Sequence, residues 1–144
     1  MATETGFTLR PGRPVGIVSA VCGAALALVM TVTQAAEDMA PEVETAAAHA
    51  GFAASAGDIK GVQSHLHHAL NCLVGPDGDG FDANELNPCQ GMGEGAIPAT
   101  VDSNQKAHLE AVVATINDGL TTEDYDEAKA AAMSAAKALK GDKM

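Results

Sequence analysis

Hydrophobic positions along the chain form one long unbroken run followed by four periodic segments. The run is "VGIVSAVCGAALALVMTV", Val15 to Val32. Beyond it, Ile59, Val62, Leu66, Leu70 and Leu73 recur at intervals of three and four, the spacing of one helix face, until Gly75-Pro76 stops the pattern. Leu109, Val112, Val113, Ile116 and Leu120 draw the cleanest stripe in the chain. Asp102 caps it in front with Gln105 three places on, and Asn117-Asp118-Gly119 is its expected end.

Two alanine-rich segments flank these stripes. "PEVETAAAHAGFAASA" (41–56) opens with Pro41 in a first-turn position and two glutamates near the positive helix end. Gly57 is its expected stop, and Asp58 is placed to cap the segment that follows. "EDYDEAKAAAMSAAKALK" (123–140) has Thr121 or Thr122 as its cap, acids in the first turn and lysines in the last. No stretch alternates as a strand does. The pattern predicts an all-α fold with helices over 41–56, 59–74, 103–118 and 123–140, paired as two hairpins in an antiparallel four-helix bundle. "AHAGFAASAGD" and "AHLEAVVATIND" each begin Ala-His and end at a polar turn, so the halves read as a duplicated hairpin.

The unbroken run changes the account of the first 35 residues. Arg10 and Arg13 precede it, and "TQAAED" after it offers Thr33 and Ala35 in the small-x-small pattern of signal peptidase. We expect a signal peptide over 1–35, a helical domain over 36–144, and a periplasmic or secreted product with no stable membrane insertion. Because 18 apolar residues suffice to span a bilayer, an uncleaved membrane anchor is the alternative. Residues 36–144 hold six lysines against 18 acids, a net charge of −12. That balance excludes nucleic acid as a natural partner, since phosphate contacts require clustered Lys and Arg.

Two cysteines follow the signal, Cys72 and Cys89. In an oxidising compartment they are read as a disulfide. It would contribute about 3 kcal/mol by restricting the unfolded chain. Such a staple matters because 36–144 contain only Phe52, Phe81 and Tyr125 as aromatics, which leaves a core of Ala, Val and Leu. The pair would also fasten the loop between the hairpins, "GPDGDGFDANELNPCQGMGEGAIPA" (75–99), whose six glycines and three prolines mark it as irregular. A loop of that length in a compact domain is functional or disordered unless, as the cysteine pair suggests, it is a covalently tacked crossover between the hairpins. Asp77, Asp79 and Asp82 are spaced loosely like a calcium loop, but Phe81 occupies a ligand position of the EF-hand pattern.

The candidate chemistry is in "HLHHALNC", His65 to Cys72. At 100° per residue, His65, His68 and Cys72 fall together, roughly 100–160° from Leu66, while His67 lies on the opposite flank. This places His65 and His68 on an outward side of the helix. Histidines three apart are neighbours and can grip one ion, and neutral imidazole suits Cu(II), Ni(II) or Zn(II). His49 and His108, at equivalent places in the two halves, are candidate completing ligands, as are Asp79 and Asp82. Haem b ranks below a metal ion, because two inward-facing histidines on opposing helices are required; Cys-x-x-Cys-His, the covalent haem pattern, is not present. Ser64 beside His67 and His68 lacks the elbow motif of a hydrolase, and no enzyme is expected.

"AAAHAG", "SHLHHAL" and "KAHLEAVV" resemble small exported metal-binding proteins built from helical hairpins that bear His beside Ala. These stretches carry His49, His65, His67, His68 and His108. The resemblance implies periplasmic binding or buffering of a divalent metal. That family has histidines on every helix, whereas the segment 123–140 has none, and the cysteine-tied loop is not part of its pattern. The competing expectation is a structural or interaction protein of the cell envelope with no small ligand, whose loop meets a protein partner.

Overall fold

The computed structural model describes residues 39–141, and within them every regular element is a helix. The expected export signal over 1–35, with cleavage after Ala35, lies outside the described residues. The elements are α1 (Pro41–Ser55), α2 (Ile59–Val74), α3 (Ala96–Ala99), α4 (Ser103–Thr121) and α5 (Tyr125–Gly141). α1 packs on α2 and on α5, and α4 packs on α5, with lighter contact from α2 to α4 and α5.

The caps explain most boundaries. Asp58 accepts a hydrogen bond from the Gly61 N–H at 2.8 Å, and Asp102 accepts from the Asn104 and Gln105 N–H groups at 2.9 and 2.8 Å. For α5, Asp124 accepts from the Glu127 N–H at 2.9 Å, while Thr122 Oγ1 receives the Asp124 N–H and donates to the Glu127 carboxylate. The α5 cap is thus Asp124, with Thr122 bracing it. α1 ends at Ser55, with Ala56 extended, one residue short of the end expected from a stop at Gly57.

Gly119 was expected to end α4 and instead lies buried inside it. A Cβ at this position would come within 2.7 Å of Leu66 Cδ1 and 2.9 Å of Ala131 Cβ. The residue is glycine because α4 approaches α2 and α5 closely there, and the helix continues to Thr121.

The core is aliphatic and small. Val62, Leu66, Leu70 and Leu73 of α2 meet Leu109, Val112 and Ile116 of α4 and Leu139 of α5, filled in by Ala46, Ala50 and Ala53 of α1 and Ala128, Ala132 and Ala135 of α5. Each fully buried Leu contributes about 1.5–3 kcal/mol, whereas alanines contribute little beyond close approach. Polar pins supplement the packing at the interhelical turns. The Tyr125 hydroxyl donates to the Ala56 carbonyl at 2.8 Å, and Gln63 Nε2 donates to the Leu120 and Thr122 carbonyls at 3.2 and 3.0 Å.

The loop between α2 and α3 is closed on itself. Gly75 (φ +72°) and Gly95 (φ +110°) touch at its base, where a Cβ on Gly75 would overlap the Glu94 carbonyl. The Cys72–Cys89 disulfide is formed, with Cα atoms 5.2 Å apart, and both cysteines are buried. Cys89 Sγ lies 3.9 Å from the Glu42 carbonyl oxygen, so the tied loop also rests against the start of α1. Asn71 gives the second anchor. Fully buried, it receives the Asp82 N–H at 2.9 Å and donates to the Asp82 and Leu86 carbonyls at 3.0 and 3.3 Å.

Candidate metal centre

The helix spacing places His65 and His68 side by side as expected, their ring centroids 5.4 Å apart, but the face they share is not an outward one. The flank of α2 carrying His65, His68 and Cys72 is turned against α1 and is half-buried to buried. Alanines at 46, 50 and 53 give α1 a shallow face, and the helices come close enough for His49 to meet the two α2 histidines. The outward placement of His65 and His68 is corrected on this point.

The three rings form a nearly equilateral cluster. Ring centroids are 5.6 Å apart for His49–His65, 5.2 Å for His49–His68 and 5.4 Å for His65–His68. One ring nitrogen from each lies within 4.8 Å of the other two. The Nδ1 atoms of all three are buried without a hydrogen-bond partner. Phe52, one turn beyond His49 on α1, is 54% exposed and lies at the rim, its ring 5.4 Å from His49 and 5.6 Å from His65.

The tied loop reaches the cluster through Glu85. Its Oε2 lies 3.3 Å from His68 Nε2 and accepts from the Ser64 hydroxyl at 3.1 Å. Ser64 precedes His68 by one helical turn, and its Oγ is 3.5 Å from the same Nε2. Asp82 and Leu86 are the residues held by Asn71, so the anchor brackets Glu85 on both sides.

Electrostatics favour uncharged rings. Burial is the main cause that holds His49 below the usual histidine pKa, followed by His68 and His65. His68 is lowered by burial first and then by His65; the Glu85 carboxylate pulls the other way without reversing the outcome. At neutral pH both are free bases, the form that ligates metal.

The remaining sequence candidates lie apart from the cluster. His67, on the other flank of α2, has its Nδ1 4.0 Å from Asp82 Oδ2, beyond hydrogen-bond range. Asp82 is held below the usual carboxylate pKa chiefly by the backbone N–H and side-chain amide of Asn84. Asp79 is exposed on the loop. His108 is on α4 with Nε2 3.4 Å from the Ala138 carbonyl of α5. The half-repeat equivalence of His49 and His108 therefore does not bring them to one place. Among the described residues, His49, His65 and His68 are the set of three or more His, Cys, Asp or Glu whose donor atoms converge.

Sequence reasoning missed Ser64, Glu85, Phe52 and Asn71 as parts of this region. Ser64 at four before His68 and Phe52 at three after His49 were visible as helix neighbours. Nothing in the spacing pointed to Glu85, which arrives through loop folding. No protein-family model, curated protein or solved structure matches the chain.

Proposed function

We propose that this protein is an exported helical module that binds one divalent transition-metal ion (copper, nickel or zinc) through His49, His65 and His68. The observation that carries the reading is the convergence of three imidazoles, one nitrogen from each within 4.8 Å of the others. A tetrahedral ion with bonds of about 2.0–2.1 Å holds its nitrogens about 3.4 Å apart. With every separation already within 4.8 Å, no pair needs to close by more than about 1.4 Å on binding. All-nitrogen donation suits borderline ions better than calcium or magnesium. The disulfide takes both cysteines out of the ligand set.

The formed disulfide and the sequence of residues 1–35 support export to the periplasm or the medium. No described helix is long and apolar enough to cross a membrane. The pins between the two interhelical turns support the antiparallel four-helix arrangement, and the likeness to small exported metal-binding hairpin proteins fits the same role. The role is binding rather than catalysis. Haem b fits the cluster poorly, because three rings packed at 5.2–5.6 Å leave no flat slot between two opposed imidazoles.

Calorimetric titration of the purified, metal-stripped protein with Cu(II), Ni(II) and Zn(II) tests the reading. One equivalent of at least one ion is expected to bind, with the site lost in His65→Ala. Dissociation constants weaker than about 0.1 mM for all three ions, at the weak end of protein metal affinities, would refute it.

A further inference from the structure

We propose that Glu85 is a positioning residue: from the disulfide-tied loop it holds the proton of His68 on Nε2 and so makes Nδ1 the nitrogen whose lone pair His68 can offer to a metal ion. This rests on the metal-binding reading above and adds a role for the loop.

A neutral imidazole carries one N–H, and its tautomer is decided by what each nitrogen faces. At His68 the two nitrogens face opposite surroundings. Nε2 has the Glu85 carboxylate at 3.3 Å and the Ser64 hydroxyl at 3.5 Å, whereas Nδ1 is buried and unpartnered. The Ser64 hydroxyl donates to Glu85, which uses its hydrogen and keeps the carboxylate in place as the acceptor for Nε2–H. Placing the proton on Nδ1 instead would bury an unsatisfied donor and set a bare nitrogen against a carboxylate. Both effects favour Nε2–H.

His67 shows that an unpartnered Nδ1 alone means little, since it has one too. His68 differs in having a carboxylate on its other nitrogen and two more imidazoles beside it. A metal-bound histidine whose second nitrogen donates to a carboxylate is held in orientation and made more basic, and loss of such a partner typically lowers metal affinity by about 10–100-fold. Glu85 is not placed by its own helix. It depends on Asn71, which binds the backbone three residues before it and one after it, and on Cys89 four residues beyond. The irregular loop thereby becomes the outer shell of a site built on helices.

The test uses the oxidised protein with 15N-labelled histidines. In the metal-free state near pH 8, long-range 1H–15N correlation reads the His68 tautomer directly. Wild type is expected to show predominantly Nε2–H. Glu85→Ala is expected to shift His68 toward a mixture, and Glu85→Gln, whose amide oxygen still accepts, to restore most of the Nε2–H form. In titrations, Glu85→Ala is expected to weaken metal binding about 10–100-fold, and Glu85→Gln less. A wild-type His68 in the Nδ1–H form, or a tautomer unchanged in Glu85→Ala, would overturn the assignment whether or not metal binds. An unshifted affinity in Glu85→Ala would also overturn it. If the wild type takes up no metal while the tautomer responds as described, the metal reading fails and the proton placement stands.

Discussion

Replacement of Asn71 by alanine isolates the anchor that keeps the loop in register. The side chain is fully buried and makes three hydrogen bonds to loop backbone, one with the Asp82 N–H and two with the Asp82 and Leu86 carbonyls. At about 1 kcal/mol net for each bond, truncation costs about 3 kcal/mol, with about 2–4 as the range. Two considerations fix that range. The orphaned backbone groups and the space left behind raise the cost. Partial access of water to the loop lowers it, and the disulfide still holds Cys89, so the loop loosens without being freed. Urea unfolding of the oxidised protein measures the loss, with the slope m expected to stay near the wild-type value. Hydrogen exchange supplies the local readout, since the Asp82 amide should lose its protection. A stability loss below about 1 kcal/mol with the Asp82 amide still protected would refute the view that Asn71 organises the loop.

Further outcomes follow from the same geometry. His67→Ala and His108→Ala should leave metal affinity within about twofold of wild type, while His49→Ala should weaken it by more than the roughly 10–100-fold of an outer-shell change. Equal losses at all three positions in titration would show that the three-histidine convergence does not define the site. Because His49 and His68 have lowered pKa values when folded, the unfolded chain takes up protons first, so stability present above about pH 6.5 is lost as pH falls through that value toward the folded ones. The urea midpoint of the metal-free protein should therefore drop between pH 7.5 and 5, and by less in a His49→Ala/His68→Ala variant; a wild-type midpoint that does not fall would contradict the assignment. Gly119→Ala should lower the melting temperature through crowding against Leu66 and Ala131, a cost of about 1–3 kcal/mol. A rise would mean that helix propensity, about 1 kcal/mol in favour of Ala, outweighs the packing.

What was legible in the sequence was whatever depended on neighbours along the chain. The stripes of α2 and α4, the caps Asp58 and Asp102 and the stop at Gly75 are local signals, and they place most helix ends within a few residues. The pairing of Cys72 with Cys89 followed from there being two cysteines in the expected mature chain. The side of α2 that meets α1 was not legible, because α1 is alanine on nearly every side and its pattern favours no face strongly. His65 and His68 consequently read as outward. Gly119 resembled a helix stop because the sequence cannot show that α2 and α5 press on that point. Glu85 was invisible for a different reason. Its position depends on a backbone course set by Asn71, the disulfide and the glycine contact at the base, none of which has a periodic signature.

The distribution of stabilising devices bears on the role of the cluster. A core filled largely by alanine has little stability to spare, yet α1 and α2 devote part of their contact to three imidazoles, each with a buried, unpartnered Nδ1. A buried polar group without a partner costs about 1–3 kcal/mol, and apolar residues in those places would avoid it. The covalent tie and the Asn71 anchor lie on the same helix, within the next turns beyond His68, where they offset that cost and also bring Glu85 to His68. A purely structural account explains the tie and the anchor, but gives no reason for three bases to converge at a helix interface. An ion held by one nitrogen from each ring would give that convergence a use that packing alone does not.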